Sequence, residues 1–179
     1  MEIKRSNVTR HDREVQDESW IVELLQRVPM GTLATASGEQ PYQSTLLFIY
    51  DPNRRAIYLH TARRGRVWEN LRANPRSCFT IAEMGRLLPA ETALNFSVEY
   101  NSVVIFGNAV LVDDPTEAEC ALQLILDRYF PHLHSGQDYR PITASERDVT
   151  AVYRLEIEEW SGKRKAVPED FPGAFHYST

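Results

Sequence analysis

The chain has 179 residues, 42% of them hydrophobic and 25% charged, and its 20 Lys and Arg against 25 Asp and Glu leave a formal net charge of −5. That is the composition of an ordinary soluble domain, and at this length one core can bury roughly 70% of the unfolded surface without a disulfide or structural metal. The longest apolar stretches, residues 46–50 and 103–106, fall far short of the roughly 20 residues of a membrane helix, and the acidic balance argues against a general nucleic-acid binder.

Helical periodicity first appears over residues 19–28, where Trp20, Ile21, Leu24, Leu25 and Val28 share one face; Asp17 or Ser19 can cap the start and Pro29 closes it. Residues 31–36, 42–50 and 56–60 then read as a three-strand meander, punctuated by Ser37-Gly38 and Asp51-Pro52-Asn53. A short helix is expected over 66–73, stopped by Asn74-Pro75, with Val67 and Leu71 on its inner side. A strand follows at 77–83, and residues 84–95, with Gly85 and Pro89, read as a long loop. The next strand runs from about 96 to 112, with a bend or bulge at Gly107. Asp114-Pro115-Thr116-Glu117 supplies an N-cap, a first-turn proline and a capping-box acid for a helix carrying Ala118, Ala121, Leu122, Ile125 and Tyr129. Residues 131–148 read as loop and 151–158 as a last strand.

About six mostly antiparallel strands with helices between them suggest a small barrel with helical covers. The whole chain, 1–179, is expected to be a single domain with extended tails at 1–16 and 166–179, the second able to lie on a partner. The start has basic residues without an apolar run behind them, and no lipidation motif is seen, so a cytoplasmic location is expected. Cys78 and Cys120 sit in apolar patterns and read as reduced core thiols.

Residues 57–75 carry the strongest chemical signal. A strand ends at His60, and Arg63, Arg64 and Arg66 gather around Gly65 where a helix begins. Free N–H groups at a helix start, a glycine that lets the backbone approach and guanidinium forks together suit a phosphate, although a solvated basic turn is the commoner use of such residues. His60 can be a satisfied core histidine, a hydrogen-bond donor to a ligand or a proton-transfer group. His132 and His134 lack a third ligand in sequence, so no metal is expected. Nucleophile-elbow, zinc-protease, Walker and dinucleotide fingerprints are all missing from the sequence. Trp20, Trp68 and Trp160 lie in amphipathic segments and read as packing residues.

Taken in order, Gly31-Thr32-Leu33-Ala34, Pro41-Tyr42, Ile57-Tyr58-Leu59-His60, Gly65-Arg66 ahead of Leu71 and Asn74-Pro75, Tyr100-Asn101-Ser102-Val103, Gly107 and Ser161-Gly162-Lys163 form a pattern. It resembles the flavin-binding split-barrel superfamily related to pyridoxamine 5′-phosphate oxidase, and more closely its nitroimidazole-resistance-protein-like branch, over residues 17–163. The resemblance implies a mainly β fold, a six-stranded antiparallel split β-barrel with flanking helices. It also implies a homodimer with FMN, or alternatively FAD, at the subunit interface. Ser44, Thr45 and Leu46 would line the isoalloxazine, and His60, Thr61, Ala62, Gly65, Arg66 and Val67 would surround the ribityl-phosphate end, Arg66 matching the phosphate-binding basic residue. Ser102, Trp160 and Lys163 would reach the flavin from the other subunit or support its pocket.

Three departures stand beside these matches. Thr45 occupies a position where related chains often have proline, Val67 replaces a second basic residue of the oxidase, and the Phe171-Pro172-Gly173-Ala174-Phe175 tail lacks the oxidase's arginine. They argue against authentic vitamin B6 oxidase activity. The implied activity is instead a reduced flavin passing electrons or hydride to a small nitroaromatic or quinone-like acceptor, with NAD(P)H a possible donor and His60 a candidate proton relay. The competing readings are a flavin-binding or sensing module without turnover and a haem- or deazaflavin-binding split-barrel relative.

Overall fold

A computed structural model describes residues 4–178. Helix α1 (Glu18–Arg27) begins at Asp17, whose carboxylate accepts from Ser19 N–H, and buries Ile21, Leu24 and Leu25 as its periodicity predicts. Strands β2 (Gly31–Ser37), β3 (Gln40–Leu46), β4 (Ile49–Asp51) and β5 (Ala56–Ala62) follow, then helix α2 (Arg66–Ala73) over the expected residues. Strands β6 (Arg76–Leu88) and β7 (Ser97–Leu111) form one long hairpin. Helix α3 (Pro115–Tyr129) starts at Asp114, which accepts from the N–H groups of Thr116 and Glu117. A short helix α4 (Ala144–Val149) leads into strand β8 (Thr150–Lys165). Two-residue strands β1 (Glu14–Val15) and β9 (Phe175–His176) pair with β8 and β6.

All strand pairings between these elements are antiparallel, in the order β3-β2-β6-β7-β8-β5-β4. Strands β3 and β4 lie at opposite ends of that path, yet only Leu47 and Phe48 separate them in the chain. Consecutive Cα atoms are 3.8 Å apart, so the two ends of the sheet must curl together into a barrel. Phe48, fully buried, plugs this seam with its ring centroid 5.1 Å from that of Phe79. Counting β3 and β4 as one interrupted strand gives the six-stranded split barrel. The expected meander is corrected here: residues 42–50 do not form one strand, because barrel closure moves the chain from β2 to β5 at that point.

Other expectations change for local reasons. The stretch 84–95 is not all loop, since β6 continues to Leu88 across a register shift between Met84 and Leu87. Within 131–148 the capping box of Thr143 and Glu146 nucleates α4. The final strand starts one residue early and runs seven residues past Glu158. Cys120 is exposed, on the side of α3 opposite Ala118, Ala121 and Ile125, whereas Cys78 is half-buried and burial raises its thiol pKa. The bulge at Gly107 appears as expected, with Phe106 opposite Glu159 but Gly107 opposite Ile157. A Cβ at Gly107 would lie 2.0 Å from the Glu156 carbonyl oxygen, so only glycine admits this crossing. The terminal stretches, where described, are laid on the sheet: Val8 is buried, and Arg86 donates to the carbonyls of Val167, Pro168 and Glu169.

The main core joins α1, α2 and the barrel interior through Leu24, Leu33, Phe48, Leu59, Phe79, Ile105 and Leu155, with Trp20, Trp68 and Trp160 packed at its margin. A smaller cluster under α3 contains Tyr58, Val112, Ala118 and Val152. Arg128 of α3 ties the layers together, donating to the carbonyls of Leu25, Gln26 and Val28 at the end of α1 and of Phe48 at the seam, 2.7–3.0 Å away. No described helix is long and apolar enough to cross a membrane.

Candidate functional site

The end of β5 and the start of α2 are built as one unit. His60, Thr61 and Ala62 pair with Val152, Ala151 and Thr150 of β8, and Arg63 extends the ladder by donating from its N–H to Val149 O (3.2 Å) and from Nε to Thr150 O (3.2 Å). Gly65 then turns the chain at φ 91°, where a side chain would be strained, and N-caps α2 without any capping side chain. The first N–H groups of α2 therefore have no acceptor of their own within the helix, and nothing within 4 Å occupies the place of a Gly65 Cβ. The helix is fixed by burial of Val67 and Leu71 and by Asn70 Nδ2 donating to Thr35 Oγ1 (2.9 Å) inside the protein. Val67 is a core residue, so its backbone N–H is what it can present at the helix start.

Around α2 stand cations without anions, Arg63, Arg64 and Arg66 at its start and Arg72 in its last turn. Among the described residues Arg63, Arg64, Arg66 and Arg72 form no ion pair, although Arg5, Arg27, Arg54, Arg86 and Arg154 all reach carboxylates. The Arg66 guanidinium lies 5.4 Å from the ring centroid of Tyr42 on β3, and the Trp68 ring has Arg63 at 5.8 Å and Arg72 at 5.4 Å. Tyr42 thus connects the α2 start to β3, where Ser44 and Leu46 are half-buried opposite Leu33 and Gly31. Thr45 is exposed on the other face, its hydroxyl 3.2 Å from that of Thr32.

His60, within β5 and two residues before its end, has a buried Nδ1 without a hydrogen-bond partner. Burial lowers its pKa, which keeps the imidazole neutral, with one nitrogen free to donate or accept. Tyr153, across from Leu59, likewise has a buried hydroxyl without a geometrically sound hydrogen bond; it faces Thr61, and burial raises its pKa.

Ser102, Trp160 and Lys163 are elsewhere. Ser102 and Lys163 face each other across β7 and β8, and Trp160 donates from Nε1 to Glu18 while packing against Tyr50 and Arg55. Lys163 is eleven positions along β8 from Val152, the partner of His60, which at about 3.3 Å per residue is roughly 36 Å of strand. In one chain α2 touches both β5 and β3, the latter through Tyr42 on Arg66, whereas Ser102 and Lys163 lie far along β7 and β8 from His60. Arg72, Tyr42 and Tyr153 were not singled out as site residues by sequence; the one legible hint was Asn70, a polar residue on the inner face of a helix.

A recess of about 710 Å³ lies between α3 and residues 135–147 and shares no residue with this end of the barrel. It is lined by Glu119, Cys120, Gln123 and Arg147, with Glu119 and Arg147 paired. No described cluster of His, Cys, Asp and Glu could hold a metal.

The family model described as pyridoxamine 5′-phosphate oxidase matches residues 17–164. No curated protein sequence matches the chain. Among solved structures, a flavocytochrome from Azotobacter vinelandii superposes with a TM-score of 0.81 at 24% identity, covering 99% of this chain and 86% of that one. A FAD and heme binding protein from Mycobacterium smegmatis gives 0.75 at 20% identity over 88% of this chain and 76% of the other. A 5-nitroimidazole antibiotic resistance protein from Bacteroides thetaiotaomicron gives 0.69 at 20% identity over 84% and 86%. At these identities the likeness is one of fold.

Proposed function

The chain belongs to the pyridoxamine 5′-phosphate oxidase family, and from that premise we propose that it is a homodimeric flavin-binding oxidoreductase whose cofactor phosphate rests on the start of α2. The observation that carries the reading is the uncapped α2 start behind Gly65, ringed by arginines with no carboxylate partner. His60, five residues before Gly65, has a buried Nδ1 that the chain's own hydrogen bonds leave without a partner. When bound, a flavin supplies two-electron and one-electron redox chemistry that no side chain here could provide.

The residues divide that work. The N–H groups of Arg66, Val67 and Trp68 and the Arg66 guanidinium bind the phosphate, the helix dipole adding to the attraction. On β3 the Thr45 side chain, on the outward face, and the backbone of Ser44 and Leu46, whose side chains turn the other way, orient the ring system, and Thr61 offers a hydroxyl toward the sugar chain. His60, held neutral by burial, accepts or donates one hydrogen bond and can move a proton at Nδ1. The reducible partner is a small aromatic acceptor of the nitro or quinone type, with NAD(P)H as the donor. FMN is the cofactor we favour, its single phosphate matching a single helix start, with FAD the alternative suggested by the Mycobacterium neighbour's name. A dimer supplies what one chain lacks: the partly exposed outward row Thr45, Thr32, Thr80, Val104 and Ser161 crosses five strands as a face for a second copy, and Ser102 and Lys163 lie on that same face, whereas Trp160 turns to the core margin of its own chain. A cytoplasmic setting goes with this reading.

The test is the visible spectrum of the purified protein, with chromatography of the pigment released on denaturation, followed by NAD(P)H consumption with nitroaromatic and quinone acceptors. Released FMN with acceptor-dependent turnover supports the proposal. Released flavin without turnover supports a binding or sensing module. A Soret band would favour a second reading, haem binding, for which the names of two structural neighbours speak. A protein that neither carries nor takes up flavin refutes the reading.

A further inference from the structure

The β6–β7 hairpin runs past the barrel as an arm. Its tip, residues 89–96, holds the 3-10 turn Ala93–Asn95, and the segment 166–178 straps onto it through β9, which pairs with Arg86 and Leu87. Arg86 locks the strap: it donates to both oxygens of Glu99 and to the carbonyls of residues 167–169, while Val167 N–H also donates to Glu99. The Arg86 guanidinium and then the Val167 amide hold the Glu99 carboxyl down at about 2.

This arm exposes large apolar side chains. Leu94 is 94% exposed and Phe96 59%, and Met84, Phe175 and Tyr177 are more than half exposed. An apolar recess of about 370 Å³ opens between Phe96 and Phe175. Exposed apolar surface concentrated on one projection marks an interaction site rather than chance scatter. The tip and strap carry more acid than base, while Lys163, Arg164 and Lys165 stand at the arm's base opposite Ser102, Asn101 and Tyr100. Arg86 is neutralised by Glu99, whereas Glu91, Glu169 and Asp170 form no ion pair among the described residues.

Its complement lies at the far end of the same chain, where Arg63, Arg64 and Arg66 surround the start of α2 and Arg72 stands in its last turn. Asn70 fixes α2 to Thr35, next to Ala34 and its partner Cys78, and from Ser77 to Leu88 β6 runs eleven positions, or roughly 36 Å. One chain cannot bring these patches together. One face does lead from barrel to arm, with Cys78, Thr80, Ala82 and Met84 of β6 opposite Phe106, Val104, Ser102 and Tyr100 of β7. A twofold axis that lays two such faces together with their strands antiparallel sets each arm over the other chain's α2.

We propose that the arm of one chain seats on the α2 end of a second copy, closing the flavin site there with Leu94 and Phe96 and setting Glu91, Glu169 and Asp170 against the arginines that a phosphate leaves over. The inference rests on the dimeric flavin-site reading above and adds to it a specific lid with a specific occupant. Each half of the dimer is then complete only through the other's hairpin and strap.

The experiment replaces Leu94 with the photo-crosslinker p-benzoyl-phenylalanine in full-length protein and mixes light and heavy-nitrogen subunits before irradiation. The expected products are mixed-isotope peptides joining position 94 to residues 61–73. Cross-links confined to one chain, or reaching other parts of the partner, overturn the arm's placement, and a dimeric mass in light scattering then leaves the dimer intact as a reading. A monomeric mass overturns both. Because cross-linking is read whether or not flavin is bound, loss of the cofactor reading shows separately in the spectrum. As a second measurement, the Leu94→Ser/Phe96→Ser double variant, altered only at exposed positions, should stay dimeric and release FMN at least 10-fold faster; an unchanged release rate overturns the lid.

Discussion

Replacing Arg66 with alanine isolates the phosphate contact from the rest of the flavin site. A hydrogen bond to a charged partner contributes about 1.5–3 kcal/mol. The Arg66 side chain is exposed, so water competes for it, and the working figure falls to about 1–2 kcal/mol, or roughly 5–30-fold in Kd. Helix α2 should survive, because its packing runs through Val67, Asn70 and Leu71 and Arg66 contributes only a stack on Tyr42. The assay is fluorescence titration of apoprotein with FMN and, in parallel, riboflavin, which lacks the phosphate. FMN affinity should fall by that factor and riboflavin affinity stay within about twofold. Equal losses for both ligands would mean the substitution damaged the pocket, and no loss for either would remove Arg66 from the site.

Three further expectations concern the frame. Burial lowers the folded-state pKa of His60, so the unfolded chain takes up the proton first as pH falls through about 6.5; stability is full above that pH and declines below it by at most about 1.4 kcal/mol per pH unit. Urea midpoints from pH 7 to 5 should drop for the native chain and stay nearly level for His60→Gln, since lowered carboxylates such as Glu117 act only at more acid pH. Arg128→Met strips the donor from four carbonyls at the α1 end and the seam and should cost about 2–3 kcal/mol in urea unfolding; a loss below about 0.5 kcal/mol would show that water replaces the guanidinium. Gly107→Ala forces a methyl against the Glu156 carbonyl and should lower Tm by about 5–10 °C, a calorimetric shift that a flexible bulge would not give.

Where local rules suffice, the sequence is read correctly. Asp114-Pro115 and Val67-Leu71 announce α3 and α2 because caps and i, i+4 pairs act within a turn or two. The failures have tertiary causes. Nothing within residues 42–50 says that the chain must leave β2 for β5 at Phe48, because the barrel seam is made by strands distant in sequence. The far end of β6 lost its alternation because both faces of the arm meet solvent or strap rather than a core, so period-two patterning had nothing to report. Helix α4 lacks an apolar stripe and is held at its start by the Thr143–Glu146 capping box alone, so residues 131–148 read as loop. For the site, the Gly65-Arg66 turn was readable, but the separation of Lys163 from His60 depends on register, which the sequence does not print.

Strand β8 is central in space and late in the chain, pairing with β1, β5 and β7. During synthesis at about 5–20 residues per second, β5 is made some 4–18 s before the first of β8 exists to cover its edge. Residues 56 and 156 are opposite each other in the finished sheet, so no barrel can close on a nascent chain that has not yet delivered β8. Closure of the barrel therefore waits on β8, and until β8 arrives the edges of β5 and β7 that it will cover stay open to wrong pairing.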